Sequence, residues 1–374
     1  SPVLGNGTFL NNSILPRIGY NPAGELIGSE SREKFDLAPK DRMPDATDSL
    51  ARMNNYISYD ADWIDFETII STDSDQIAIA PGYLEREWLD NGRRYFHYKM
   101  DSPILNFYSF ISAEFSTAQD YWLRTNGDTV TIEIYHHPAH DYNVERMIKG
   151  IKKALDYSTQ EFSPYQHRQV RIIEFPRTSG GFAQSFANTI PYSEAIGFIA
   201  AVDEEDESGV DYPFSVTAHE VAHQLQFRNG LPSRNENTAR AAELEADAFG
   251  GFYIGHANGY AADWTAASNA YNFAAGLGDN NVNSPGHHGT AAQRRSAFRL
   301  GWLLRNNQYP GARNFDSDFF RYYDQYVLAG ALRGEFIRPE GISQDTHEYI
   351  MSKMEELHKI STGEISEEEF VNLQ

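Results

Sequence analysis

The apolar residues of this 374-residue chain change period near residue 136, and that change limits what it can fold into. Between Thr68 and Ile134, aromatic and β-branched residues alternate with polar ones, as in Gln76–Ala80, Arg94–Lys99, Asn106–Ile111 and Thr129–Tyr135. A period of two places one face of each strand against a core. Asp90-Asn-Gly92 and Asn126-Gly-Asp128 are turn signals between such segments. Beyond His136-His-Pro-Ala-His140 the spacing turns helical, with Val144, Met147, Ile148, Ile151 and Leu155 on one face. A strand is expected over Gln169–Phe175. Helices are expected over Pro213–Asn229 (stopped by Gly230), Thr238–Ile254 and Asp263–Ala275, and from the capping box Thr290-Ala-Ala-Gln293. Residues 1–60 read as loops and short strands, and the segment after Asp316 as charged helix. The expected class is α+β. An N-terminal antiparallel β-sandwich-like domain spans 1–135, and a mixed, then mainly helical domain spans 136–374.

Composition narrows the chemistry. Apolar residues at 41% and aromatics at 13% supply a globular core. A net charge of −22 argues against nucleic-acid or anionic-membrane partners. It suits cationic substrates, although solubility is the plainer explanation. The chain has no cysteine, so thiolate catalysis, disulfides and Cys-ligated zinc are out of reach, and a transition metal must use His and carboxylates. No apolar run reaches the roughly 18 residues that span a bilayer. Ser1–Gly7 carries no leader pattern. The acidic run Asp203–Ser208 is a calcium candidate, but such runs are more often solvated loops.

The chemistry concentrates in Thr217-Ala-His-Glu-Val-Ala-His-Gln224. His219 and His223 stand four residues apart, so on a helix both rings project from one face and can reach one zinc ion at about 2.0–2.1 Å. Glu220 follows the first histidine, placed to take a proton from a metal-polarised water without itself ligating. Val216, Val221, Ala222 and Leu225 make this a buried helix. Two imidazoles and a carboxylate there need partners, because desolvation is costly. A catalytic site needs a third protein ligand, and Ala242–Phe249 offers carboxylates for it.

HExxH followed by an ExxxD helix resembles the gluzincin metallopeptidases. The resemblance makes Glu243 the third zinc ligand and Asp247 the partner that orients a ligating histidine, with Glu245 as the alternative register. Ala80-Pro-Gly-Tyr83, Ile134-Tyr-His-His-Pro138 and Phe182–Glu194 resemble the aminopeptidase-N-like family, especially bacterial forms fused to transporter segments. That likeness implies a thermolysin-like catalytic domain behind a β domain, and an extracytoplasmic or membrane-tethered setting. Glu243–Asp247 followed by His288-Gly-Thr-Ala-Ala-Gln-Arg294 resembles predicted neutral zinc metallopeptidases and the prenyl-protease type instead. In register with the aminopeptidases, Gln184 and Ser185 fall where an amine-binding carboxylate is expected. Substrate backbone would then lie along Phe182–Asn188, with Glu194 as a substitute anchor. Tyr309 and His288 are the candidate oxyanion donors. The expectation is a zinc-dependent peptidase acting on peptide or protein substrates, with internal cleavage preferred. The alternatives are an aminopeptidase and a weakly catalytic, zinc-containing peptide-binding module.

Overall fold

The structure is a computed structural model. It describes residues 3–373 except 5–6, 17–24, 27, 39–62, 203–210, 235, 237, 258–260, 273–277, 283, 285 and 329–337. The calcium candidate at 203–208 lies outside the described residues. The chain divides into two compact units, one of Ser1–Pro16 with Asp62–Arg228 and one of Arg17–Ala61 with Asn229–Gln374.

In the first unit the strands are β1 (Val3–Leu4), β2 (Gly7–Asn11), β3 (Trp63–Ile64), β4 (Glu67–Asp73), β5 (Ile77–Ile79), β6 (Tyr83–Asp90), β7 (Arg93–Lys99), β8 (Ile104–Leu105) and β9 (Ser109–Ala113). They form antiparallel sheets in the orders β1-β2-β9-β5, β4-β7-β6 and β3-β8. The β6–β7 hairpin closes through Asn91 and Gly92, both in the left-handed region at φ 47° and 74°. A two-residue turn of this kind matches strand twist, which is why Asn-Gly is legible as a hairpin. Phe66, Phe96, Tyr98, Met100 and Ile104 form one core and Phe9, Ile79, Ile111, Ile173 and Phe175 another.

The next sheet departs from the antiparallel expectation. β10 (Ser116–Leu123) pairs antiparallel with β11 (Thr129–His136), but β11, β12 (Gln169–Phe175) and β13 (Thr189–Ser193) run parallel. A crossover helix makes this possible; α1 (Ser29–Glu33) belongs to the other unit. Parallel neighbours need a long crossover, and α2 (Val144–Glu161) supplies it between β11 and β12. It packs on β10 and β11 and buries Met147, Ile151 and Leu155, the face expected from their spacing. The expected boundary after residue 135 falls inside β11, whose neighbours on both sides keep it within one sheet. This unit ends in α3 (Tyr212–Asn229), stopped at Gly230 in the left-handed region.

In the second unit, α4 (Arg240–Gly255), α5 (Trp264–Asn272), α6 (Ala291–Leu303), α7 (Ala312–Tyr322), α8 (Gln344–Ser352), α9 (Met354–Thr362) and α10 (Glu367–Val371) follow. Contact between α4 and α6 is close because glycines face it. A Cβ on Gly301 would collide with the Ala248 carbonyl, and one on Gly251 with the Phe298 carbonyl. The capping box read at Thr290 opens α6, with Thr290 accepting from the Gln293 N–H. Phe249, Phe252, Phe315 and Phe319 make an aromatic core, and Tyr271 stacks on Phe298 at 3.9 Å. Among the described residues no helix is long and apolar enough to cross a membrane.

Candidate metal centre

Helix α3 carries His219, Glu220 and His223, and the rest of its unit holds it firmly. Ser185 donates to the Glu220 carbonyl, Gln224 Nε2 donates to the Phe186 carbonyl at 3.3 Å, and Tyr165 donates to Gln224 Oε1 at 2.5 Å. Segment 183–186 is in turn bridged antiparallel to β13. The sheet therefore sets the height and rotation of the helix.

The two imidazole Nε2 atoms lie 3.0 Å apart, with the rings at 88°. Two ligands at 2.0–2.1 Å from one tetrahedral ion are separated by about 3.3 Å, so the pair nearly has the required spacing. The Nδ1 of His223 is 2.6 Å from Gln226 Oε1. An amide oxygen can only accept, so Nδ1 carries the proton and Nε2 presents its lone pair. His223, Glu220 and Gln226 are buried. Two imidazole nitrogens one helical turn apart beside a buried carboxylate are a donor set that fits zinc.

The second unit holds the carboxylates. Glu243 and Asp247 lie one turn apart on α4. Asp247, expected to orient a histidine, binds the Arg294 guanidinium from two sides, at 2.7 and 2.9 Å. Bidentate Arg–carboxylate geometry satisfies both buried charges better than an imidazole would. Glu243 has Arg294 Nη2 at 3.6 Å and His288 Nε2 at 4.0 Å. His288 is held by its own N–H, which donates to Asp279 at 2.9 Å. Glu245 is wholly buried and shares a hydrogen bond with Asp316, whose carboxyl is pushed up chiefly by burial. It is therefore committed within its own unit.

Four other candidates take different places. Tyr309 is a core residue, its ring edge-on to Phe252 and Phe315, and burial holds its hydroxyl far above the usual range. Asn188 is fully buried at φ 46°, where its Oδ1 accepts from the Gly82 N–H at 3.0 Å and from Arg171 at 3.3 Å. It locks a turn from within the core. Arg171 also donates to the Ala80 and Gly82 carbonyls, so the Ala80–Tyr83 and Phe182–Glu194 motifs meet at this one buried cation. Ser185 is buried with its hydroxyl given to α3, while the Gln184 backbone bonds Pro191.

Glu194 instead joins a cluster at the carboxyl ends of the parallel strands, with His140 and Glu174, which the sequence reading did not single out. The ligand-capable atoms of these three lie within 4.8 Å of one another. His140 Nδ1 is 2.5 Å from Glu174 Oε1 and 4.0 Å from Glu194 Oε2. Backbone N–H groups of His137 and Arg177 hold the other oxygen of each carboxylate, at 2.7 and 3.1 Å. Burial pushes the Glu174 carboxyl up despite His140. Glu174 pairs in register with Tyr192, and strand alternation puts Glu194 on the same face. Burial, and after it the charge of Glu220, raises the Tyr192 hydroxyl far above the usual range. The signal for the cluster was in His137-Pro-Ala-His140, but only the parallel pairing brings its members together.

No protein-family profile matches the chain, and no curated protein matches it in sequence. Among solved structures it is similar to an M1 zinc metallopeptidase from Deinococcus radiodurans, at 12% identity and a TM-score of 0.45, over 84% of this chain and 66% of that one. It is also similar to Legionella pneumophila aminopeptidase A in complex with aspartic acid, at 16% identity and a TM-score of 0.42, over 70% and 35%. The chain thus spans less than two thirds of the length of either.

Proposed function

We propose that this chain is a zinc-dependent peptidase in which His219, His223 and Glu243 hold the ion and Glu220 handles the proton. The observation that carries the reading is the facing pair of Nε2 atoms 3.0 Å apart on a helix whose His223 tautomer is set by Gln226. When bound, zinc supplies Lewis acidity, which lowers the pKa of a water and polarises a peptide carbonyl. Glu220, buried beside the first histidine, accepts the proton of the attacking water and returns it to the leaving amine. His288 is the proposed donor to the developing oxyanion, replacing the packed Tyr309. A purely structural site would close its shell with a fourth ligand and leave Glu220 without a task.

Cleavage from the amino terminus is preferred here over the internal cleavage expected from sequence. The carboxylate missing at Gln184 and Ser185 is available at Glu194, which follows β13 directly. Glu194 faces Arg177 at 3.7 Å and His140 at 4.0 Å, and a substrate ammonium would compete with them for its carboxylate.

The test combines metal analysis with peptide digestion. The wild-type chain should carry about one zinc. His219→Ala should lose it, whereas Glu220→Gln should keep it and lose hydrolysis by about 10²–10⁴-fold. Equal metal loss in both variants would remove Glu220 from its role. Acetylating the peptide amino terminus should abolish cleavage, and Glu194→Gln should raise KM for free-amine peptides. Unchanged cleavage of acetylated peptides would restore the internal mode and leave the zinc reading standing.

A further inference from the structure

We propose that Arg294 is a positioning residue for the metal centre: clamped by Asp247, it engages one oxygen of Glu243 and presets that carboxylate to ligate through the other. The inference rests on Glu243 being a zinc ligand. It assigns a task to Arg294 and Asp247 that the sequence did not suggest.

The arrangement follows from two helix starts. Glu243 and Asp247 share a face of α4, four residues apart. Arg294 lies in the first turn of α6, its N–H donating to the Thr290 carbonyl at 2.9 Å. Glycines bring α4 and α6 close enough to bury the Arg294 side chain, which is 4% exposed. Its Nε donates to Asp247 Oδ2 at 2.7 Å and its Nη2 to Oδ1 at 2.9 Å. This side-on grip fixes the plane of the guanidinium. The same Nη2 is then 3.6 Å from Glu243 Oε2. The opposite oxygen, Oε1, is the one that faces His288. The two oxygens of Glu243 therefore have different surroundings, a cation on one side and a partly exposed imidazole on the other.

One carboxylate is enough to balance one guanidinium. The approach of a second needs a reason, and a ligand that must not turn or chelate through both oxygens supplies it. An oxygen already facing a cation is a weaker donor to a metal, so the pair favours single-oxygen ligation and keeps a coordination position open. Partners of this kind typically change metal affinity by about ten- to a hundredfold. Lysine would not replace the arginine, because a point charge on a flexible stem cannot hold Asp247 side-on and reach Glu243 as well.

The experiment uses the full chain stripped of metal, with zinc affinity measured by chelator competition and the visible spectrum of cobalt(II) as a probe of coordination. Arg294→Met should weaken zinc about ten- to a hundredfold and change the cobalt absorption, and Arg294→Lys should recover only part of the loss. A lone buried Asp247 could unfold the single variant, so the paired variant Asp247→Leu/Arg294→Met accompanies it. Replacing a buried ion pair by apolar residues is often neutral for folding. That paired variant should keep its circular dichroism and melting temperature but show the same zinc loss. Wild-type zinc affinity in a folded paired variant overturns the proposal, as does unfolding of both variants, which would assign Arg294 to the fold alone. Glu243→Ala separates the two levels. If it binds zinc as tightly as wild type, the ligand assignment has failed; if it is weakened while Arg294→Met is not, only the positioning role has failed.

Discussion

His167 and Asp318 are both shifted by burial, and they act on stability in opposite directions of pH. Burial, followed by the charges of Arg228, Arg124 and Arg171, lowers the His167 imidazole from 6.5 to about 3. It is neutral in the fold. Its contribution is fully present above pH 6.5 and is lost as pH falls toward 3, by up to about 1.4 kcal/mol per unit. His167→Gln should flatten the acid limb of a melting-temperature profile between pH 6.5 and 3, and an unchanged limb would contradict this. Asp318 is raised by burial from 3.8 to about 6. Its folded state prefers the proton, so its contribution is present below pH 3.8 and lost as pH rises through 6. Asp318→Asn should therefore raise the melting temperature at pH 7.5 and give no gain at pH 3.5. A gain at both values would point to packing rather than charge.

At the scale of elements, α3 is positioned by the Ser185 side chain, the Phe186 carbonyl, Tyr165 and Gln166. Ser185→Ala should remove one brace and lower stability by about 1 kcal/mol or somewhat more, since it leaves the buried Glu220 carbonyl with one partner fewer. Denaturant midpoints would read this. Gln226→Leu acts differently. It removes the acceptor of His223 Nδ1 without touching the backbone of the helix. Zinc affinity should fall about ten- to a hundredfold with helical content unchanged. A normal affinity would mean that the tautomer is set elsewhere.

For the whole molecule the governing quantity is the net charge of −22. Self-repulsion of this size opposes compaction, and salt screens it over about 10 Å at 0.1 M. Raising sodium chloride from about 0.02 to 0.3 M should increase the melting temperature by a few degrees. A decrease would show that ion pairs such as Arg294–Asp247 and Arg299–Glu356 outweigh the general repulsion.

Local chemistry was readable from the chain alone. The Asn91-Gly92 hairpin, the Thr290 capping box, the apolar face of α2 and the one-turn spacing of His219 and His223 each depend on residues within a few positions of one another. Their stereochemistry is fixed by turn type or helical pitch. Tyr309 and Asn188 were misassigned because a tyrosine or asparagine has no local mark of its partner. One is packed between phenylalanines from α4 and α7, and the other is bonded to a glycine 106 positions away. The parallel order of β11, β12 and β13 was also hidden, because direction depends on the path of a crossover helix rather than on strand composition. That order gathers His140, Glu174 and Glu194 at the ends of adjacent strands. In the same way, the glycine-lined contact of α4 with α6 gives Asp247 an arginine where a histidine was expected. Spacing along the chain determined which residues could share a helix face. The packing of sheets and helices decided which charges would meet, because a buried charge takes whatever counter-charge the fold brings within hydrogen-bond reach.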